Sequence, residues 1–293
     1  MQCKLYQDVA SFYKDAFPVL MRHEAQNMIP LGNLMIGHKG KDKTGWRDPA
    51  HWLMAAVSDS AGIRLVALMT PPYNLTLYAV DNQTDDTALV CLIDQLLKDN
   101  MPIPGLVTEK SLAERFANTY CAAAGLDYAV NFSQRIYELR EVNPEISSGQ
   151  IRLAQESDMA FLPYWSESFS SDCFGSPLSI QNDPEGYRYH IAAKNLYILM
   201  DCETPVSMET PVSMAKITRE MKTVCGVGYV YTPPYFRGKG YATACVAALS
   251  RLILDRGFSS CVLYTDLANP TSNSIYQKIG YKPLCDSSEI KFH

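Results

Sequence analysis

Residues 230–281 read VYTPPYFRGKGYATACVAALSRLILDRGFSSCVLYTDLANPTSNSIYQKIGY, apolar runs divided by glycine-bearing turns. The stretch opens at the end of an apolar run, Val224 to Tyr231, whose composition predicts a strand. Arg237-Gly238-Lys239-Gly240-Tyr241-Ala242 follows. An apolar-periodic helix then runs from Gly240 to Arg256 and stops at Gly257. A second strand is expected over Cys261 to Thr265. A second helix, Thr271 to Ile279, ends at Gly280, and a last strand begins near Tyr281. Strand, helix, strand, helix, strand in about fifty residues predicts an α/β unit.

The glycines carry the chemistry. Glycine reaches positive φ and lets backbone come close to a ligand. Successive N–H groups at a helix start form an anion cradle, and the helix dipole adds partial positive charge there. Arg237 and Lys239 add full charges, so a diphosphate is the natural ligand. The nucleoside-triphosphate loop needs G-x-x-x-x-G-K-S/T, which is missing. The dinucleotide fingerprint needs G-x-G-x-x-G, and Thr243 stands where its third glycine belongs. A solvated glycine turn ahead of a helix is the plain alternative.

The remaining pattern, Arg-x-x-Gly-x-Ala, resembles the pyrophosphate-arm signature of the GNAT superfamily of N-acetyltransferases, Q/R-x-x-G-x-G/A. That family follows the arm with N-x-x-A/S-x-x-x-Y and then G-F/Y. Here Asn269, Ser272, Tyr276 and Gly280-Tyr281 stand at those positions. The resemblance covers 196–285, is weaker over 151–195, and reaches residues 1–145 only through an internal echo.

The resemblance implies a mixed central sheet with splayed parallel strands, here Val224–Thr232 and Cys261–Asp266, and acetyl-CoA (coenzyme A) as cofactor. Splaying leaves backbone groups in need of partners. Pantetheine amides running alongside Val230, Tyr231 and Thr232 would supply them. Arg237, Gly238, Lys239, Gly240, Tyr241 and Ala242 would hold the pyrophosphate. Asn269, with Ser272, would contact the pantetheine arm, although Asn269 also suits helix capping ahead of Pro270. A backbone N–H near Tyr231 would stabilise the oxyanion formed when an amine attacks the thioester. Tyr276 stands at the family's general-acid position, with an ordinary pKa of about 10; a core tyrosine is its plain reading. The base is not identified. Asp266 and Glu167 are candidates, the first equally a turn cap and the second equally a solvated helix residue.

Further outward, the first half is helical over Val9 to Leu20, with Pro18 as a kink site, and over His23 to Ile36. Strands are expected over His51 to Val57, Ile63 to Met69, Ile103 to Val107 and Ala129 to Leu139. Helices are expected over Leu89 to Leu97 and Ser111 to Ala124. Asn143 to Gly149 is polar and turn-rich, which divides the chain into domains 1–145 and 150–293. The second half restarts with a short strand at Ile151 to Leu153. Helices over Glu156 to Phe169 and Pro184 to Ala193 and strands over Leu196 to Met200 and Val206 to Ile217 follow. PVSM recurs at 205–208 and 211–214. Leu68-Met69-Thr70-Pro71-Pro72-Tyr73 echoes Val230-Tyr231-Thr232-Pro233-Pro234-Tyr235, which suggests two copies of one α/β unit. No glycine-rich arm follows the first, so the N-terminal half reads as a degenerate tandem copy without cofactor.

Composition narrows the classes. The 293 residues suit about two domains, and 47% hydrophobic with 19% charged residues excludes wholesale disorder. The net charge of −5, with no long basic run, argues against a nucleic-acid partner. No apolar run reaches the roughly 18 residues of a membrane span, and the N-terminus lacks a signal peptide's apolar core. Nine widely spaced cysteines, none in C-x-x-C, read as free thiols in a reducing cytoplasm, with no metal site. His51 and His190 read as packing or surface residues. The reading is a cytoplasmic N-acetyltransferase acting on a primary amine, of a small molecule in the first instance. Homodimer formation stays open. The alternative is a catalytically inactive acyl-CoA sensor or interaction protein of the same fold.

Overall fold

The structure, a computed structural model, describes residues 1–40, 45–80, 85–147, 149–175, 184–201 and 210–293. The first half contains β1 (Gln2–Leu5), α1 (Val9–Leu20), α2 (Met28–Lys39), β2 (Leu53–Asp59), β3 (Gly62–Met69), β4 (Leu75–Ala79), α3 (Thr87–Lys98), β5 (Gly105–Glu109), α4 (Lys110–Ala124) and β6 (Tyr128–Leu139). The second contains β7 (Gln150–Leu153), α5 (Leu162–Phe174), α6 (Pro184–Ala192), β8 (Leu196–Asp201), β9 (Thr210–Glu220), β10 (Val224–Tyr231), α7 (Tyr241–Asp255), β11 (Ser260–Asp266), α8 (Pro270–Ile279) and β12 (Lys282–Phe292). The order β-α-α-β-β-β-α-β-α-β thus occurs twice.

The repeat lies in a different register from the one the sequence echo suggests. Thr70 to Tyr73 joins β3 to β4, whereas Thr232 to Tyr235 follows β10, and β10 is the counterpart of β4. The first-half segment matching Arg237–Ala242 is therefore 80–86, VDNQTDD. It has no glycine and three aspartates, a composition that repels phosphate. Residues 81–84 of it lie outside the described residues, as do 205–208, the first PVSM copy, and 206–209, the start of the strand expected there.

Contacts divide the chain into two compact units. The first comprises Met1–Ile136, Thr265–Ala268 and Pro283–His293. Its strands lie in the order β1-β2-β3-β4-β5-β12. The pair β4·β5 is parallel at Leu75↔Leu106 and Thr76↔Val107. The C-terminal strand β12 closes this sheet antiparallel to β5, from Ser287↔Glu109 to Lys291↔Gly105. Leu65, Leu92, Phe116 and Ile290 are buried together between the sheet and α3 and α4. Caps fix the helix starts: the Asp8 carboxylate accepts from Ser11 N at 2.7 Å, and that of Glu109 from Leu112 N at 2.9 Å. Pro18 does not end α1, which continues to Leu20 and into a short 3₁₀ turn at Met21–His23. Strands β1 and β4 were not anticipated; each is short and shows too few residues for a clear alternation.

The second unit comprises Tyr137–Tyr264 and Asn269–Lys282, with strand order β11-β10-β9-β8-β7. Its sheet has a core on each face. Cys245, Val246, Leu249 and Ile253 of α7 and Ile279 of α8 pack with Tyr137, Leu199, Ala215 and Leu263. Leu162 of α5 packs with Ile198, Met214 and Tyr231, and Trp165 and Phe169 complete that cluster. The helix expected from Glu156 onward is two elements: a 3₁₀ turn at Glu156–Ala160, then α5. Pro163, lacking an N–H, fits the first turn of a new helix.

Asp158 holds that junction. It is 2% exposed and accepts from Arg152 Nη1 at 2.7 Å, Arg152 Nη2 at 2.8 Å and Gln155 N at 2.8 Å. Asp158→Ala removes the carboxylate that Arg152 and the Gln155 N–H share, leaving Arg152 its contact with the Leu153 carbonyl at 3.1 Å, so it is expected to lower stability by about 3 kcal/mol. Urea denaturation followed by circular dichroism checks this; an unchanged midpoint would show that the pair is a spectator.

Among the described residues no helix is long and apolar enough to cross a membrane. Their cysteines are all free thiols, and burial pushes Cys225, Cys245 and Cys261 up to about 12, so these three are unreactive. Cys202 lies outside the described residues.

Candidate cofactor site

Strands β10 and β11 pair in parallel at Val224↔Ser260, Cys225↔Cys261 and Gly226↔Val262, and the pairing ends there. Both strands continue, β10 to Tyr231 and β11 to Asp266, so their C-terminal halves diverge. On its other side β10 is bulged against β9. Between Gly228↔Lys216 and Tyr231↔Met214 it takes three steps to two on the partner. Tyr229 carries the extra residue at φ 56°, a region costly for a non-glycine residue and common at functional sites. The bulge leaves residues 229–230 without a register partner on β9, on the strand where the sequence placed cofactor contacts.

The arm follows directly. Ser213 Oγ donates to the Tyr231 carbonyl at 2.9 Å and lies 2.9 Å from Thr232 Oγ1. Arg237 Nε donates to the Thr232 carbonyl at 2.9 Å, and its guanidinium sits 5.7 Å from the Tyr231 ring centre. Gly238 and Gly240 have φ 78° and 82°, and a Cβ at either would meet nothing within 4 Å. The glycines are thus needed for backbone conformation, and the space in front of them is open. Gly240 is the N-cap of α7, so the unbonded N–H groups of the first turn face that same opening. Lys239 Nζ lies over the Tyr235 and Phe236 rings at 5.2 and 5.9 Å. Tyr241 donates its hydroxyl hydrogen to Asp201 Oδ2, and Ala242 follows in the first turn of α7. Open cradle, diverging strands and two cations fit a pyrophosphate with an amide-bearing tail.

The arm's arginine is already engaged. Arg237 Nη2 donates to Asp172 Oδ2 on α5 at 2.5 Å, with both side chains about half exposed. Nothing local in the sequence marks Asp172, because 65 residues separate the two.

Asn269 caps α8, its Oδ1 accepting from Ser272 N at 3.0 Å, so the capping role is real. Its amide NH2 has no partner among the described residues. Tyr276 is 8% exposed, with Tyr281 and Tyr137 ring centres at 6.0 and 6.3 Å. Its hydroxyl makes no hydrogen bond among the described residues. Burial pushes the phenol well above its ordinary range, with Cys173 adding to the effect. Asp266 ends β11 and accepts from Ala268 N at 2.8 Å, a turn cap within the segment that counts with the first unit.

Glu167 on α5 belongs to a polar group that the sequence did not reveal. Tyr187 Oη donates to Glu167 Oε1 at 3.5 Å, a weak contact. Lys216 of β9 and His190 of α6 approach within 3.2 Å, Nζ to Nε2, and Lys216 Nζ lies 5.6 Å from the Tyr229 ring centre. Burial lowers His190 to about 4, with Lys216 adding to it. Burial also lowers Lys216 to about 8, helped by Arg219. Ser166 Oγ, His190 Nδ1 and Asn195 Oδ1 are buried and make no well-aligned hydrogen bond among the described residues, although Ser166 acts on Tyr229 and Asn195 on His190. His190 packs against the Tyr189 and Tyr229 rings, at 5.4 and 6.4 Å between centres, and also faces Lys216. The available signal was Lys216 itself, one cation in the otherwise apolar run Val212-Ser213-Met214-Ala215-Lys216-Ile217.

Diverging parallel strands beside a glycine cradle at a helix start define the fold of the GNAT acetyltransferases. Residues 209–289 match the family described as FR47-like protein. Three solved structures share the fold over nearly the whole chain. One is an acetyltransferase of the GNAT family from Colwellia psychrerythraea: 12% identity, TM-score 0.56, covering 100% of this chain and 99% of its own. A Drosophila protein gives 12%, 0.63, 99% and 98%. A GCN5-related N-acetyltransferase from Sphaerobacter thermophilus gives 13%, 0.60, 99% and 95%. No curated protein sequence matches the chain significantly.

Proposed function

We propose that the chain is an acetyl-CoA-dependent N-acetyltransferase with one cofactor site, in residues 224–281, acting on a primary amine of a small molecule. The observation that carries this is the pair of positive-φ glycines opening onto free space at the start of α7, beside strands that have parted. We further propose that residues 1–145 are a second copy of the unit that has lost the cofactor, because 80–86 carries aspartates where 237–242 carries Arg237, Lys239 and two glycines.

Bound acetyl-CoA supplies an activated acyl carbon. The chain's residues do the rest. Arg237, Lys239 and the N–H groups of Gly238 to Ala242 bind the diphosphate. Val230, Tyr231 and Thr232 offer backbone groups to the pantetheine amides, and Asn269 offers its free NH2. A backbone N–H at the bulge, near Tyr231, would donate to the thioester carbonyl oxygen of bound acetyl-CoA. Tyr276, held protonated by burial, would donate a hydrogen bond to the thioester sulfur. Glu167 and the buried polar atoms around Ser166 face the acceptor. Calorimetric titration with acetyl-CoA and CoA, then a panel of primary amines with thiol-release detection, tests the reading; a folded chain that binds neither sinks it.

Asp172 competes with phosphate for Arg237. Exposed pairs of this kind contribute about 0–1 kcal/mol. Asp172→Asn is therefore expected to tighten CoA binding about two- to fivefold in the same titration. Weaker binding would show that Asp172 positions Arg237 rather than occupying it.

A further inference from the structure

Lys216 is the unusual residue of the second unit. Its strand partner on β10 is Gly228, the first residue of the bulge, and its amine lies beside the ring of the strained Tyr229. The groups facing it are His190 from α6, Tyr229 from β10 and Arg219 from its own strand; Glu167 from α5 acts on Tyr229 in turn. No carboxylate among the described residues pairs with Lys216. Two nitrogen bases at 3.2 Å cannot both carry a proton cheaply, and burial weighs against charge on either. With Lys216 lowered to about 8, about a tenth of it is uncharged at pH 7 and half at pH 8. His190, lowered to about 4, is neutral throughout that range. A neutral amine held by a hydrogen bond to an uncharged acceptor nitrogen at 3.2 Å is oriented and uncharged, as a nucleophile must be.

We propose that Lys216 is a self-acetylation site: its Nζ takes the acetyl group from acetyl-CoA held along β10, with His190 Nε2 accepting a hydrogen bond from the amine and so orienting its lone pair. The inference rests on the cofactor reading above. The Nζ lone pair forms the C–N bond and the C–S bond breaks. CoA leaves as thiolate, and the proton shed by nitrogen passes to that thiolate or to solvent. Lysine amine plus thioester gives acetyl-lysine plus thiol, and no other reactant is needed. The product has no charge to bury and one donor fewer beside His190, so it fills the polar group with an uncharged amide.

The test uses the full chain with acetyl-CoA carrying a deuterated acetyl group, read by peptide mass spectrometry, with calorimetric binding in parallel. Wild type, Lys216→Arg, His190→Gln and Gly240→Glu are compared. The expected result is label at Lys216 above every other lysine, at a rate that rises with pH through about 8. It falls at least tenfold in His190→Gln and in Gly240→Glu, and site-specific label vanishes in Lys216→Arg. A chain that binds acetyl-CoA but leaves Lys216 unlabelled overturns the proposal and leaves the cofactor reading standing. Equal labelling in wild type and Gly240→Glu overturns it as well, because the transfer would then be non-enzymatic. Absence of acetyl-CoA binding overturns both. A cofactor-free control labels lysines competitively with trace acetic anhydride across pH; Lys216 titrating near 10 with the surface lysines would also overturn it.

Discussion

Gly240→Glu should raise the dissociation constant of CoA by two to three orders of magnitude while the chain still folds. Two separate quantities set that expectation. The first is backbone cost. Gly240 sits at φ 82°, where an L-residue is strained by about 1–2 kcal/mol. A side chain there meets nothing within 4 Å, so no clash is added. The new carboxylate would also stand at a helix N-terminus near Arg237 and Lys239, which favours it in the free protein. A domain stable by about 5–15 kcal/mol tolerates this. The second quantity is repulsion. A carboxylate about 4–5 Å from a phosphate, at an effective dielectric of about 20, costs about 3–4 kcal/mol. At about 1.4 kcal/mol per decade, that is the stated loss. Gly240→Ala separates the two, since it keeps the strain and omits the charge; it should weaken binding less than tenfold. Equal losses in both variants would assign the effect to backbone geometry and remove the case for a phosphate at that point.

Local and distant information were legible to different degrees. Arg237 to Ala242 could be read because glycine, charge and helix start are consecutive, and their meaning does not depend on partners elsewhere. The same holds for Asn269 ahead of Pro270, and the observed cap at Ser272 N agrees with it. A repeated order of elements was legible in kind but not in register. TPPY recurs by composition, while the structural match is carried by β4 and β10, which share no obvious residues. The pairing of β12 with β5 was not legible at all, because alternation shows which face a strand buries and not which strand it joins. Asp172 reaches Arg237, and His190 reaches Lys216, only after helices and strands have packed. Their chemistry arises from burial and approach, which no spacing encodes.

Tyr276→Phe is the change that separates an enzyme from a sensor of the same fold. The hydroxyl has no hydrogen-bond partner among the described residues, and the ring is 8% exposed between Tyr137 and Tyr281. Phenylalanine keeps the ring and its packing, so stability and CoA affinity should stay within about twofold. Turnover is another matter. A thiolate leaving group has an ordinary pKa near 8.5, below that of a phenol near 10, and burial moves Tyr276 further up. Complete proton transfer from this tyrosine to the thiolate is therefore uphill. What it offers is a strong, permanently protonated hydrogen-bond donor at the sulfur. The loss in kcat should accordingly fall near the low end of acid catalysis, about 100-fold, with KM for acetyl-CoA little changed. The sign of the pH dependence follows from the same shift. A raised pKa keeps the donor protonated as pH rises, so an alkaline decline in kcat due to Tyr276 should begin only above pH 10, and its ordinary pKa would place it at about 10. Unchanged kcat in the phenylalanine variant would remove Tyr276 from the chemistry. A turnover too slow to measure in both proteins, with intact CoA binding, would favour the sensor.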